Sequence, residues 1–159
     1  MNSNDYPAII QQDCAALPET VGKLLTRTLV QVVEPEFNVF FMILEDSTYA
    51  ISGRVGGEVL GIRRLDLPPT EGQEARMTVT KPFRPFDLFS RRRVTQARMI
   101  GEAWNGHGFE FSFEGLPNRT MIVQSICTGA DRGQELHDCL RLGVGYYFLH
   151  DETALSEGA

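Results

Sequence analysis

Strict alternation of aromatic and polar residues in one short segment constrains the fold more than any other feature of this sequence. Phe109, Phe111 and Phe113 are separated by Glu110 and Ser112. Because successive side chains of a β-strand point to opposite faces, this pattern predicts a strand with one face in the core and the other in water. The chain is therefore expected to build a β-sheet that buries one of its sides.

A turn signal just before this strand predicts a hairpin. The dipeptide Asn105-Gly106 favours a tight turn, because both turn positions require positive φ. Residues 94–104 are ambiguous between strand and helix when read alone. The hairpin favours a strand there, paired with the aromatic strand.

A second hairpin is predicted earlier in the chain, around Gly56-Gly57. These two glycines separate two β-prone segments, 49–55 and 58–65, and suit a two-residue loop. The register that follows from this loop places Ile51 opposite Ile62 and Tyr49 opposite Arg64.

Further strands are predicted on either side of these hairpins. The six-residue apolar run Val39–Leu44 is typical of a strand that is buried on both faces. Shorter strands are expected at 76–80, 120–127 and 144–149. The segment 81–90 contains two prolines and is expected to be irregular.

Helical spacing of apolar residues is found near both ends of the chain. Residues 6–17 predict a first helix, capped by Asp5. A second helix, or a continuation of the first beyond a kink at Pro18, is predicted from Pro18 to Val33. It ends before Pro35, because the residue preceding a proline is driven out of helical geometry. A capping-box pattern at Asp131 predicts a third helix that stops at Gly143.

The predicted fold class is α+β: an N-terminal helical pair packed on a mainly antiparallel β-sheet, with one C-terminal helix. Helices at the ends and strands between them argue against alternating βαβ units. Residues 1–150 are expected to form a single domain, and 151–159 a frayed acidic tail.

The composition predicts a soluble, cytoplasmic, acidic protein. Among 159 residues no apolar run exceeds six, far short of the ~20 needed to cross a membrane as a helix, and the net charge is −6. The polar N-terminus does not resemble a secretory signal. Cys14, Cys127 and Cys139 are widely spaced, which predicts reduced thiols and neither a disulfide framework nor a zinc site.

Positive charge is concentrated in one part of this acidic chain. Residues 54–98 contain ten Lys and Arg against five Asp and Glu. Three phenylalanines, Phe83, Phe86 and Phe89, lie among the basic residues. Cations attract phosphates and aromatic rings stack on bases, so this stretch suits a nucleic acid or nucleotide. The alternative is that the arginines pair with carboxylates of this chain or of a protein partner. The candidate binding residues are Arg84, Arg91, Arg92, Arg93 and Arg98.

One histidine is a candidate for acid–base chemistry. His107 lies beside the predicted hairpin turn, and Glu102 and Glu110 are its neighbours in the expected register. These three residues are the catalytic candidates. The competing interpretation is a histidine that is merely tolerated beside a turn. No histidine spacing indicates a metal site, and no phosphate-binding, dinucleotide-binding or nucleophile-elbow motif indicates a cofactor or a hydrolase.

Three functions follow from these observations. The first is a non-catalytic accessory or regulatory protein, of the inhibitor, chaperone or assembly-factor type, that binds another protein. The second is a nucleic-acid or nucleotide binder that uses the arginine stretch, and the third is a small enzyme with His107 as acid or base. The missing catalytic motifs and the segregated charge favour the first. A protein partner is expected over a nucleic acid, with no membrane contact and no cofactor, and self-association is left open.

Overall fold

A computed structural model describes residues 6–34, 36–54, 59–103, 105–126, 140–145 and 147–149. These residues form one α-helix, two 3₁₀ segments and eleven strands. The helix α1 is Tyr6–Asp13, and the 3₁₀ segments are Leu17–Thr20 and Arg84–Phe89. The strands are β1 (Leu25–Val33), β2 (Glu36–Leu44), β3 (Thr48–Arg54), β4 (Val59–Leu65), β5 (Gly72–Ala75), β6 (Thr78–Pro82), β7 (Val94–Glu102), β8 (Asn105–Phe113), β9 (Leu116–Ser125), β10 (Leu140–Val144) and β11 (Tyr147–Leu149).

All strand pairs are antiparallel, and the main path through the sheet is β5-β6-β1-β2-β10-β9-β8-β7. The part of this path from β1 to β7 closes into a ring, because Leu24, just before β1, bridges Arg93, just before β7. The Gly22 N–H donates to the Val94 carbonyl at 2.7 Å, and the Val94 N–H donates to the Lys23 carbonyl at 3.0 Å. The hairpin β3–β4 extends from β2, and β11 extends from β10. A mainly antiparallel sheet is therefore confirmed.

The predicted N-terminal helical pair is wrong. Its first member is present as α1, but most of the second is strand β1. Leu25 and Val32 face the large core, whereas Leu29 faces a smaller cluster on the other side of the sheet. A strand covered on both faces, with register shifts near both of its ends, loses the two-residue alternation and imitates helical spacing.

The predicted C-terminal helix is also wrong where the structure describes it. Leu140–Val144 is a strand, and Gly143 pairs with Ile122 of β9 instead of ending a helix. Leu140 and Leu142 are both buried in the core, which is the two-residue period of a strand. The rest of that predicted helix, 131–139, and the predicted tail, 151–159, lie outside the described residues. The α+β class is thus replaced by a mainly β fold.

The hairpin predicted around Gly56-Gly57 is confirmed in its register. Strands β3 and β4 pair with Ile51 opposite Ile62 and Tyr49 opposite Arg64. Its loop, 55–58, lies outside the described residues. Two-residue alternation and a short loop together determine such a register, because a slip by one residue would turn every side chain to the wrong face.

The hairpin predicted around Asn105-Gly106 is present, but its turn lies earlier than predicted. Asn105 and Gly106 already belong to β8, and both are opposite Glu102. Gly106, with φ of 70°, and Gly101, with φ of 69°, adopt positive φ within paired strands. The positive φ that was expected in a tight turn is adopted instead in a bulge beside the turn.

The continuous apolar strand β2 separates two cores, as its lack of alternation predicted. Phe40, Met42 and Leu44 face the large core that fills the closed sheet. Phe41, Val39 and Ile43 contribute to the smaller cluster on the opposite face. The segment between β4 and β5 is held next to β1, because Arg27 of β1 binds Glu71 of this segment at 2.6 Å. None of the helices in the described residues is long and apolar enough to span a membrane.

Candidate functional site

The phenylalanines of the arginine stretch lie in the core and not on its surface. Phe83, Phe86 and Phe89 are at most 1% exposed. The 3₁₀ segment Arg84–Phe89 brings them together, with ring centroids 4.8 Å apart for Phe83–Phe86 and 5.5 Å apart for Phe86–Phe89. Bases cannot stack on rings that are already enclosed. The three rings of this stretch are therefore not available to stack on the bases of a nucleic acid.

Arg92 is used to hold the backbone of its own chain. Its Nε donates to the Leu88 carbonyl at 2.9 Å, and its Nη1 donates to the Glu114 carbonyl at 3.1 Å. These bonds join the end of the 3₁₀ segment to the turn between β8 and β9. The side chain is partly buried, and its role in the described structure is to tie two loops together.

Arg93 occupies the place where the sheet closes. Its Nη1 donates to the Gly22 carbonyl at 3.0 Å and to Glu45 Oε1 at 3.1 Å. The same Glu45 oxygen accepts the Leu24 N–H at 3.3 Å, and the Arg93 N–H donates to Glu114 Oε1 at 3.1 Å. Arg93 thus pairs with carboxylates of this chain, as the alternative interpretation of the stretch predicted.

Arg98 is the third arginine of this stretch that is bound within the chain, and it pairs with Glu110. Its Nε donates to Glu110 Oε1 at 2.6 Å, and the other oxygen of Glu110 accepts the Thr120 hydroxyl at 2.8 Å. The Glu110 side chain is buried by these contacts although it lies on the outer face of β8. Both carboxylate oxygens therefore have partners, which leaves Glu110 with a positioning role across β7, β8 and β9.

The two remaining arginine candidates are exposed. Arg84 begins the 3₁₀ segment, and Arg91 follows it with φ of 65°. Within the described residues neither side chain makes a hydrogen bond or an ion pair. Of the five arginines that the sequence suggested as binding residues, two, Arg84 and Arg91, therefore have side chains without a described partner.

His107 is buried, only 3% exposed, on the inner face of β8. Its Nδ1 accepts the Leu60 N–H of β4 at 2.9 Å, and its ring meets Phe109 edge to face. Burial lowers the pKa of His107 below its ordinary value. The imidazole is consequently neutral and serves as an acceptor for a strand edge.

The structure does not bring the three catalytic candidates together. His107 shares the inner face with Phe109, whereas Glu110 lies on the outer face and binds Arg98. Glu102 is exposed and lies opposite Asn105 at the end of the hairpin. Adjacent strand positions point in opposite directions, so proximity along the hairpin did not make these side chains neighbours.

A polar cluster that sequence reasoning missed lies at the turn between β2 and β3. Lys23 Nζ lies 3.2 Å from Ser47 Oγ, 3.4 Å from the Tyr49 hydroxyl and 3.4 Å from Asp46 Oδ1. The Tyr49 hydroxyl donates to Glu19 Oε1 at 3.0 Å. Two segments that are far apart in the chain, 19–23 and 46–49, supply these residues, and no local motif marks them, so no short-range signal could have found the cluster.

The protonation states of this cluster argue against nucleophilic chemistry. Burial alone would lower the Lys23 pKa, but the hydrogen bonds and charges of Tyr49 and Asp46 outweigh it and raise the pKa. The Ser47 hydroxyl donates to Asp46 Oδ1 at 2.8 Å, and this bond lowers the pKa of Asp46. An ammonium cannot accept a proton from Ser47, and the lowered pKa of Asp46 makes its carboxylate a weaker base than an ordinary one. The cluster instead fastens the β2–β3 turn to the segment before β1.

A groove of about 380 Å³ adjoins the cluster and is lined mainly by the β2–β3 turn and the end of β4. Its charged lining residues are Glu45, Asp46, Arg64 and Asp66. Glu45 and Asp46 are already bound to Arg93 and Lys23. The groove thus has mixed charge and contains no buried polar group that is left without a partner.

Strand β7 lies at one end of the sheet path, so its outer edge is the side turned away from β8, and the 3₁₀ segment Leu17–Thr20 contacts this strand. Val94 uses its N–H and carbonyl with Lys23 and Gly22, and beyond it no described strand pairs with this edge. Met99 lies directly opposite the fully buried Phe109, yet Met99 is 48% exposed. The apolar inner face of the β7–β8 hairpin therefore continues to the surface at Met99.

No group of three or more His, Cys, Asp or Glu side chains within the described ranges could hold a metal ion. Comparison with known proteins identifies no relative: no family model, no curated protein and no solved structure matches this chain. The function must therefore be argued from the geometry alone.

Proposed function

We propose that this protein is a non-catalytic accessory or regulatory protein that binds another protein through the outer edge of β7. The observation that carries the proposal is the exposure of Met99 beside an unpaired strand edge. The described geometry also supplies no activated nucleophile and no assembled acid–base pair. Binding accounts for the exposed edge without requiring catalytic chemistry.

The edge of β7 suits a partner that adds an extended segment to the sheet. An unpaired edge presents backbone N–H and carbonyl groups that another strand can bond. An apolar side chain of the added strand would extend the inner face and cover Met99. Methionine adapts to partners of different shape because its side chain is unbranched and polarisable.

A charged substitution at Met99 tests this surface. In Met99→Lys we expect the amount of co-purifying partner protein to fall at least about tenfold relative to wild type. The reason is that the lysine ammonium would have to be desolvated in the contact. The measurement is quantitative mass spectrometry of co-purifying proteins from tagged wild type and variant. Circular dichroism and thermal melting should be unchanged, since Met99 is already half in water.

Met77→Lys is the matched control. Met77 is 56% exposed and lies in the turn between β5 and β6, away from the edge of β7. The partner should remain bound to this variant. The proposal is wrong if the same proteins co-purify with both variants, or if wild-type protein captures nothing above a tag-only control.

A separate prediction concerns nucleic acid. We expect only weak binding of mixed DNA or RNA oligonucleotides at physiological salt, because Arg92, Arg93 and Arg98 are engaged within the chain. Fluorescence anisotropy at two salt concentrations measures it. Submicromolar binding that weakens with salt, and is lost in an Arg84→Ala/Arg91→Ala double variant, would favour the nucleic-acid alternative. These two arginines are chosen because their removal breaks no described contact.

A further inference from the structure

Both backbone polar groups of one residue on β4 are held by side chains from elsewhere. The Leu60 N–H donates to His107 Nδ1 at 2.9 Å, and the Leu60 carbonyl accepts the Cys14 thiol at 3.5 Å. In a strand the N–H and carbonyl of one residue point to the same side. On its other side β4 pairs with β3. His107 and Cys14 therefore satisfy the edge that β4 turns towards β8 and α1.

The imidazole accepts one hydrogen bond, and its other ring nitrogen has no partner. Because Nδ1 accepts from Leu60, the ring proton of neutral His107 resides on Nε2. This Nε2 is buried without a hydrogen-bond partner. A second proton on the ring would remove the acceptor for Leu60 and place a charge where nothing described compensates it.

From this geometry we propose that His107 is an acid-sensitive latch: protonation at Nδ1 releases the Leu60 N–H and loosens the β3–β4 hairpin from β8. The latch is independent of the proposed partner surface. It acts at the inner face of β8, whereas Met99 lies at the edge of β7.

The charged groups near this end of the molecule have other partners. Asp13 of α1 accepts from Arg54 of β3 at 3.1 Å. On β9, Gln124 donates to the Gly106 carbonyl at 2.7 Å and accepts from Arg141 of β10 at 2.9 Å. Glu102 of β7 is exposed in water.

The other charged groups nearby likewise leave the imidazole without a counter-ion. Glu110 is bound to Arg98 on the outer face of β8. On β4 itself Arg63 and Arg64 are cations and would oppose a charged imidazole. Among the described contacts, none would stabilise an imidazolium.

The direction of the pH dependence follows from burial. Burial lowers the pKa of His107 below the ordinary 6.5, so the opened state, with its imidazole in water, binds a proton more readily than the closed state. The closed state is fully favoured above that value and loses stability as the pH falls below it. In this range the equilibrium constant for opening should rise about tenfold per pH unit, until the closed state itself is protonated.

Cys14 reports the opening. Burial, reinforced by Asp13, raises the pKa of its thiol to about 11, so the closed protein presents a buried, neutral thiol. Labelling with an aromatic disulfide, corrected for its rate on a free thiol peptide, is followed between roughly pH 5 and 8 by mass spectrometry of the Cys14 peptide. We expect the corrected rate to rise about tenfold per pH unit below 6.5 in wild-type protein.

His107→Asn should abolish this slope, because an asparagine amide oxygen can accept the Leu60 N–H but does not titrate. The same change at a second histidine, His137→Asn, which lies outside the described residues, is the control variant and should retain the slope. An equal slope in wild-type protein and His107→Asn, or no slope in wild-type protein, would overturn the proposal.

Amide hydrogen exchange on wild-type protein provides a test that needs no variant. The protection of the Leu60 amide should fall below pH 6.5, whereas the protection of the Phe111 amide in the centre of β8 should not. Parallel loss at both amides would indicate global acid unfolding and would contradict a local latch.

Discussion

Replacing Phe86 with alanine should lower the free energy of unfolding by about 3–5 kcal/mol. Phe86 is fully buried and meets three other rings edge to face, those of Phe40, Phe83 and Phe89. Removal of a ring at this junction leaves a cavity that the closed sheet cannot fill without moving several strands. Denaturant unfolding followed by circular dichroism measures the loss.

Asp87→Ala is the control for this prediction. Asp87 lies next in the same 3₁₀ segment and is exposed. Its substitution should change the free energy of unfolding by less than about 0.5 kcal/mol. A loss below about 1 kcal/mol for Phe86→Ala would mean that the ring is not enclosed. Stacking of this ring on a nucleic-acid base would then have to be considered again.

Gly108→Ala should be at least as damaging, with an expected loss of about 3–5 kcal/mol or a failure to fold. A Cβ on Gly108 would lie 2.6 Å from the Gln124 Cα and closer still to the Val123 carbonyl oxygen. Both are backbone atoms of β9, so β8 and β9 would have to separate. The yield of folded protein and the urea midpoint measure the effect.

Gly22→Ala separates this steric effect from the general cost of replacing a glycine. Gly22 has φ of 87°, and a Cβ there would meet no atom within 4 Å. Its substitution should cost only about 1 kcal/mol, which is the penalty for a non-glycine residue at positive φ. Equal losses for the two variants would show that the close approach of β8 and β9 is wrong.

The arginine stretch illustrates how one composition can serve two different structures. Alternating cations and aromatic rings are expected of a nucleic-acid surface, and also of a segment that sends its rings inward and its arginines across loop backbones. The structure has the second arrangement for Phe83, Phe86 and Phe89, and for Arg92, Arg93 and Arg98. Only Arg84 and Arg91 remain exposed without a described partner.

The errors in predicting secondary structure share a physical cause. Periodicity reveals a strand only when polar residues on one face alternate with apolar residues on the other, as Glu110 does with Phe109 and Phe111. Strand β1 is covered on both sides, and its register shifts remove what alternation remains. Strand β10 contributes only Leu140 and Leu142 to the core, which is too short a pattern to distinguish from the end of a helix.

By itself the sequence determined the antiparallel pairing at its centre, including the register of β3 with β4, because alternation and a glycine loop are local properties. It also indicated correctly that β2 is buried on both faces. The tertiary structure alone decided that the sheet closes near Leu24 and Arg93, that His107 accepts the Leu60 N–H, and that Lys23 meets Ser47 and Tyr49. These contacts join residues that are far apart in the chain, and only packing in three dimensions determines which of them meet.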